Sequence, residues 1–223
     1  MGTRSVARSL RRRMREVVLA AVLLVAEAGL LALAGSSWWA PALLLAIIPL
    51  FVLARTTLLG GVLDPVLIRR GIQGEQKVAG VLTALSALGY EVLHDLDIGR
   101  GNADHVVVGP TGVFVIETKD WGGRFYPRAG KLMFNQRPAG EVVAQVRAAA
   151  LVVRTRLEVA GVDVQVQPVI ASTRAKVYRS PLRLGYVTVA EADHLPEFVA
   201  RQETSLDQAT ISDAIAAILE GDE

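Results

Sequence analysis

Asp104, Glu117 and Lys119 occur in an order and at spacings that could hydrolyse a phosphate ester. They lie in Asn102 to Lys119, N-A-D-H-V-V-V-G-P-T-G-V-F-V-I-E-T-K. This stretch reads as two strands around a tight turn, because Val106 to Val108 and Val113 to Ile116 flank Gly109-Pro110-Thr111-Gly112. A loop centred on Pro110 and Thr111 sets Gly109 opposite Gly112, Val108 opposite Val113, Val106 opposite Val115 and Asp104 opposite Glu117. Lys119 follows on the same face. Two carboxylates directly opposite in a ladder repel. A divalent cation between them, Mg²⁺ or Mn²⁺, turns repulsion into attraction, since hard cations take carboxylate oxygens while keeping waters and a substrate phosphate. Lys119 would place positive charge where an attacking water or a phosphate oxygen needs it. The competing reading is a hairpin whose end carries ordinary solvated charges. Against it, the second strand is apolar on both faces up to Glu117, as a central strand is, so its terminal charges emerge beside a core.

The elements that must position these residues follow from periodicity. A helix is expected from about Gly74 to Leu88, stopped by Gly89, with an apolar stripe of Val78, Leu82 and Leu85. Glu75 lies on that stripe one turn before Val78; it either interacts with the helix macrodipole or points over the sheet toward Asp104. Tyr90 to Leu93 reads as a short strand and His94 to Gly101 as a polar loop, in which Asp95 and Asp97 are candidate ligands but read as solvated. His105 alternates to the face opposite Asp104 and is expected to pack beneath the sheet; His94 and His194 stand alone. A second hairpin is expected from Arg124 to Pro127 and Lys131 to Asn135, its Arg124, Arg128 and Lys131 lining a groove or solvated. A helix from Pro138 or Ala139 to about Val159 buries Val142, Val146, Ala149 and Val153, with Gln145 on the same stripe. A buried amide must find partners. Strands at Val164 to Ala171 and Tyr186 to Val189 follow. Arg174, Lys176, Arg179 and Arg183 between them are the best candidates for phosphate-backbone contact outside the carboxylate site. Helices at Ala192 to Arg201 and Asp207 to Leu219 finish the chain.

Taken in order, Gly71, Gly74 and Glu75, then D-H-V-V-V-G-P-x-G-V-F-V-I-E-T-K, then Gly122-Gly123, are similar to the nuclease-related domain family, NERD, within the PD-(D/E)xK nucleases. The resemblance covers about residues 71 to 175. It implies an α/β fold of the restriction-endonuclease kind, a mixed central sheet of about four to six strands flanked by helices. It also implies Mg²⁺ or Mn²⁺ between Asp104, Glu117 and the Thr118 carbonyl, with Glu75 on the outer side as a ligand of the metal or its water. Lys119 would orient the water or the transition-state oxyanion, and Gln145 would help hold the lysine or the water. The implied substrate is nucleic acid, DNA ahead of RNA.

Composition limits these readings. The chain has 223 residues, 52% of them hydrophobic, a mean hydropathy of +0.38, and no cysteine, which removes disulfides and thiolate metal sites. Residues 1–16 carry six arginines and one acid, whereas from residue 71 onward 15 Lys and Arg face 19 Asp and Glu, a balance of −4. The sequence pI of 9.1 is therefore a property of the tail and linker. A slightly acidic globular part excludes a strong non-specific nucleic-acid binder, so contact with phosphate should be local and helped by metal. Internal repeats, a P-loop, zinc-ligand spacing and a Ser-His-Asp order are all absent from the sequence.

The excess of apolar residues lies before residue 55. Val17 to Ala34, broken by Glu27, and Trp38 to Ala54 are apolar runs of 18 and 17 residues separated by Gly35-Ser36-Ser37. They read as a transmembrane helical hairpin near the lower length limit for a span. Arg15 and Arg55 flank its outer ends and the turn is uncharged, which puts both ends in the cytoplasm. A cleaved signal peptide ending at Ala32-Leu33-Ala34 is the alternative. The expected organisation is a basic cytoplasmic tail over 1–16, the hairpin over 17–54, a juxtamembrane linker over 55–70 and a NERD-like nuclease domain over 71–223. The expected location is the inner (plasma) membrane, multi-pass, with the globular domain cytoplasmic; the excess of arginine over lysine fits a bacterial coding bias. The lipid bilayer is then a partner, and a homo-oligomer through the hairpin is another; Glu27 either pairs within the hairpin, sits at an oligomer contact, or lies protonated or near a membrane interface. Two further classes fit the same sequence: an inactive nuclease-fold binding or scaffolding module, and a membrane organiser.

Overall fold

The computed structural model describes residues 65–99 and 101–220. The expected hairpin at 17–54 lies outside the described residues. No helix among the described residues is long and apolar enough to cross a membrane.

The fold is mixed α/β, with a central mixed sheet flanked by helices. Helix α1 (Pro65–Leu82) is followed by a 3-10 segment (Thr83–Leu88) that ends at Gly89 in the left-handed region, φ 82°. Strands β1 (Glu91–Asp97), β2 (Asn102–Gly109) and β3 (Gly112–Lys119) form an antiparallel meander. A small hairpin, β4 (Arg124–Arg128) and β5 (Lys131–Phe134), is joined by β6 (Arg137–Pro138). Helix α2 (Gly140–Val159) then carries the chain back to β7 (Val166–Ser172), which pairs with β3 in parallel. The short β8 (Lys176–Val177) and β9 (Leu182–Leu184) precede β10 (Val187–Glu191), and helices α3 (Leu195–Ala200) and α4 (Gln208–Glu220) complete the described chain. The six-stranded sheet has the order β1-β2-β3-β7-β10-β9, and a second, four-stranded sheet has the order β6-β5-β4-β8.

The meander's register is set by its turn: Gly109 faces Gly112, Val108 faces Val113 and Val106 faces Val115. The turn is pinned from outside. Tyr90 lies so close over Gly109 that a β-carbon there would stand 2.1 Å from its ring, which makes glycine obligatory. The Tyr90 hydroxyl bonds Thr111 Oγ1 at 2.8 Å, and Thr111 Oγ1 donates to the Val199 carbonyl at 2.9 Å.

Alternation then decides what each face meets. Val106, Val108, Val113 and Val115 pack on α2 and α4 through Ala149, Val153, Leu157, Ile211 and Ile218. Val107, Phe114 and Ile116 pack on Val78 and Leu82 of α1, on Leu85 of the 3-10 segment and on Leu195 and Val199 of α3. Helices α1 and α2 thus cover opposite faces, and β3 is buried on both, as the sequence predicts for a central strand. Each fully buried branched or aromatic side chain contributes about 1.5–3 kcal/mol.

Several details differ from the sequence reading, among them that α1 gives way to a 3-10 segment at Thr83 and that Leu182–Leu184, within the basic stretch between the expected strands, is strand β9. Helix α1 starts at Pro65 and not Gly74. Strand β1 continues through the stretch expected to be a loop and reaches Asp97. The second sheet extends beyond the expected hairpin because β4 also pairs in parallel with β8, over Arg124 to Lys176 and Phe125 to Val177.

Candidate functional site

The site is built at the carboxyl end of β3, where the apolar run gives way to Glu117, Thr118 and Lys119. Glu117 is 3% exposed, and burying an ionised carboxylate is tolerable only with a partner. Lys119 Nζ provides it, donating to Glu117 Oε1 at 2.6 Å and to Gln145 Oε1 of α2 at 3.2 Å. Lys119 also lies 5.8 Å from the centre of the Trp121 ring, which stacks on Phe125 of the small sheet. The ammonium is therefore held on three sides.

Asp104 comes from β2. The paired register stops at His105 opposite Ile116; continued one step it sets Asp104 opposite Glu117. Asp104 Oδ2 accepts the Thr118 backbone N–H at 2.7 Å, which ties the ends of the two strands together. Continued the other way, between His94–His105 and Leu96–Ala103, the register sets Asp95 of β1 beside Asp104. Asp95, Asp104 and Glu117 thus form a row of acids across three neighbouring strands. Pairing lapses at Asp95, whose φ of 54° lies in the left-handed region that Asp tolerates better than most residues. Its Oδ1 accepts from Asn102 Nδ2, while Oδ2 is buried with no hydrogen-bond partner.

Glu75 reaches the row from α1, on the other side of the sheet. Gly74 makes this approach possible: it is buried, and a β-carbon there would stand 2.9 Å from Asp120 Cβ and 3.6 Å from Thr118 Cγ2. The carboxyl of Glu75 is pushed above its ordinary value by burial first, then by the charges of Asp95 and Glu117. Asp104 is pushed well above the carboxylate range by burial and by Glu117, with the Thr118 N–H opposing. Burial raises Glu117 as well, against the pull of Lys119 and of a hydrogen bond from Gln145. Glu117 and Glu75 thus act on Asp104, and Asp95 and Glu117 on Glu75, with Lys119 the nearby ammonium that opposes them.

The donor chemistry suits a hard cation: carboxylate oxygens in a buried negative field that Lys119 only partly offsets, with Asp95 Oδ2 also buried and without a partner. The side chains do not converge fully. Among the described residues no group of three or more His, Cys, Asp or Glu is arranged to hold a metal ion. The fit is thus to two carboxylates, Asp104 and Glu117, with further oxygens from backbone or water.

The site joins Asp104, Glu117, Thr118, Lys119, Glu75 and Gln145, all named from sequence; the description of Gln145 changes, as does that of Asp95. Gln145 is exposed, because it sits at the edge of the α2 stripe and not within it; its Oε1 nonetheless reaches Lys119. Asp95 belongs to the acid row and not to a solvated loop. The signal for it was the continued alternation of V-L-H-D-L-D, masked by the glycines that follow. His105 is buried beneath the sheet as expected, but His94 is not alone: the two rings share an Nδ1 to Nδ1 hydrogen bond of 2.8 Å. Of the basic residues after β7, Arg174 is held by Asp120 and Lys176 by Glu191, while Arg179 lies over Tyr178.

Residues 70–173 match the nuclease-related domain, NERD. Over 62 residues the chain is 37% identical to an uncharacterized protein of Bacillus anthracis, a match that covers 26% of this chain and 29% of that protein. The chain thus matches under a third of that relative's length. No solved structure matches the chain.

Proposed function

We propose, from the NERD domain at residues 70–173, that this protein is a divalent-metal-dependent nuclease hydrolysing phosphodiester bonds, DNA ahead of RNA, held at the cytoplasmic face of a membrane by the apolar hairpin at 17–54. The observation that carries this reading is the contact of Lys119 Nζ with Glu117 Oε1 at 2.6 Å, in a strand end that also faces Asp104. A domain selected only to fold would not crowd these carboxylates at one sheet end.

Asp104 and Glu117, with the Thr118 carbonyl implied by the family resemblance, would hold Mg²⁺ or Mn²⁺, and Glu75 would accept from water on the outer side. When bound, such a cation acidifies water and offsets charge on a scissile phosphate. Lys119 would orient the attacking water or stabilise the developing oxyanion, and Gln145 would fix the ammonium so that it does not collapse wholly onto Glu117. The test is incubation of the full chain with Mn²⁺ or Mg²⁺ and a panel of supercoiled, linear, single-stranded and branched DNA plus RNA, beside Glu117→Gln. Cleavage that needs metal and disappears in the variant supports the reading. Cleavage that persists in the variant removes it.

The lack of a three-ligand group among the described residues favours a second reading, a nuclease-fold binding module at the membrane. Absence of cleavage in every lane by a folded chain would select it.

A further inference from the structure

Beside the acid row, where α1 meets the end of β3, an open cavity of about 390 Å³ is lined by Arg70, Gln73, Lys77, Asp120, Thr173 and Arg174 around Gly74. Three of these side chains are cations and one is an acid. The positions 70, 73, 74 and 77 form one stripe of α1, so the helix presents a basic edge to the cavity. Two of the cations are held in place by neighbouring acids. Arg174 Nε donates to Asp120 Oδ1 at 3.0 Å and its Nη2 to the Asp120 carbonyl at 2.7 Å, which fixes the guanidinium plane. Lys77 Nζ reaches the Thr173 carbonyl at 3.4 Å and Asp193 at 3.2 Å from β10's far side. Arg70 is exposed and makes no ion pair among the described residues. The cavity borders the end of β3: its Gly74 stands against Asp120 Cβ and Thr118 Cγ2, the two residues that bracket Lys119.

We infer that this cavity is a subsite for a backbone phosphate of a nucleic-acid strand, flanking the bond at the acid row and held by Arg70, Lys77 and Arg174. The inference rests on the nuclease reading and adds to it a strand path, running along α1 past the end of β3. It also answers a difficulty. The domain is acidic overall, so a polyanion needs a local cationic foothold to come near four carboxylates, and this cavity adjoins them. An anionic lipid headgroup shares the same chemistry, but adjacency to the acid row favours the strand.

The test is binding of a fluorescent single-stranded oligonucleotide to the full chain in neutral detergent and EDTA, so that nothing is cut, across a range of salt. Removing this single phosphate contact in Arg70→Ala/Lys77→Ala should make the slope of log Kd against log salt shallower by about 0.7, and alike for every sequence. Arg154→Ala, which removes an exposed cation paired with Glu158 on α2, should leave the slope alone, and Arg70→Lys/Lys77→Arg should restore it. An unchanged slope in the double Ala variant overturns the subsite even if the wild type cuts nucleic acid. A lowered slope with no cleavage by any chain upholds the subsite and removes only the nuclease reading. If the double variant instead loses a preference for phosphatidylglycerol-doped over neutral micelles while the slope stands, the cavity belongs to lipid and the inference fails.

Discussion

Lys119 and Glu117 face the same way from one strand, and their 2.6 Å contact is nearly enclosed, with side chains 17% and 4% exposed. A buried pair of this kind is weak as a stabiliser yet costly to break from one side. Lys119→Ala should lower stability by about 3–5 kcal/mol less whatever Glu117 recovers by taking up a proton. It should also lower turnover by about 10²–10³-fold while changing metal affinity little. Denaturant titration and metal-dependent cleavage check the two effects, and a variant that loses metal affinity but keeps turnover would mean that the role of the lysine is misassigned.

Asp104 tests the opposite sign. Its carboxyl is raised by burial and by Glu117, so at neutral pH the charged form is penalised in the fold. Asp104→Asn keeps an acceptor for the Thr118 N–H and removes the charge. Without metal, the variant should be more stable than wild type by about 0.5–2 kcal/mol and inactive. With Mn²⁺ the order should narrow or reverse, because only the wild type gains from the cation. Thermal melts with and without Mn²⁺ decide it; a destabilised metal-free variant would contradict the assignment.

His105 governs the acid side of stability. Burial, and then the neighbouring His94, push it down to about 3. The unfolded chain binds this proton near 6.5 and the folded one does not, so its contribution is complete above pH 6.5. It is lost as pH falls toward 3, by about 1.4 kcal/mol per pH unit. The raised carboxyls of Asp104, Glu117 and Glu75 act the other way and favour the fold as they protonate. Comparing His105→Leu with wild type isolates the histidine: the variant's stability should fall less steeply between pH 6 and 4 (about two units). Parallel curves would show that the ring is not held neutral.

Two glycines should respond differently to the same change. Gly109→Ala would drive a β-carbon into the Tyr90 ring, and should cost about 1–3 kcal/mol with any remaining folded protein fully active. Gly74→Ala meets Asp120 Cβ, an atom next to the main chain that cannot swing away. It should shift α1, move Glu75 off the acid row and lower activity by more than its stability loss predicts. Equal specific activities in the two folded variants would separate Glu75 from function.

How much of this could be read from sequence depended on how local the cause was. The β2–β3 register was legible because Gly109-Pro110-Thr111-Gly112 sets it within a few residues. That β3 is buried on both faces was legible in its unbroken apolar run, whereas which helix covers which face was not. Asp95 was not legible as part of the site, because a polar, glycine-flanked run looks like a loop until β2 is seen to pair with it. Gln145 was placed on the buried stripe since helical period cannot tell the middle of a stripe from its edge. The pairing of β4 with β8 depends on two-residue strands, too short to carry any period. The cavity of Arg70, Lys77 and Arg174 joins residues far apart in sequence, so only the fold reveals it.

The parallel pairing of β3 with β7 fixes the order in which the molecule can be completed. Strands β1 to β3 need only short turns and can zip as soon as they are made. The strand that carries Glu117 and Lys119, however, keeps one edge of backbone N–H and C=O groups unpaired until the chain has passed through α2 and delivered β7. On a ribosome that interval is a few seconds at about 5–20 residues per second. During it the growing chain offers an open hydrophobic strand to its neighbours. Aggregation during synthesis should therefore be worst for chains arrested between β3 and β7, and a stalled chain extended through Ser172 should escape it.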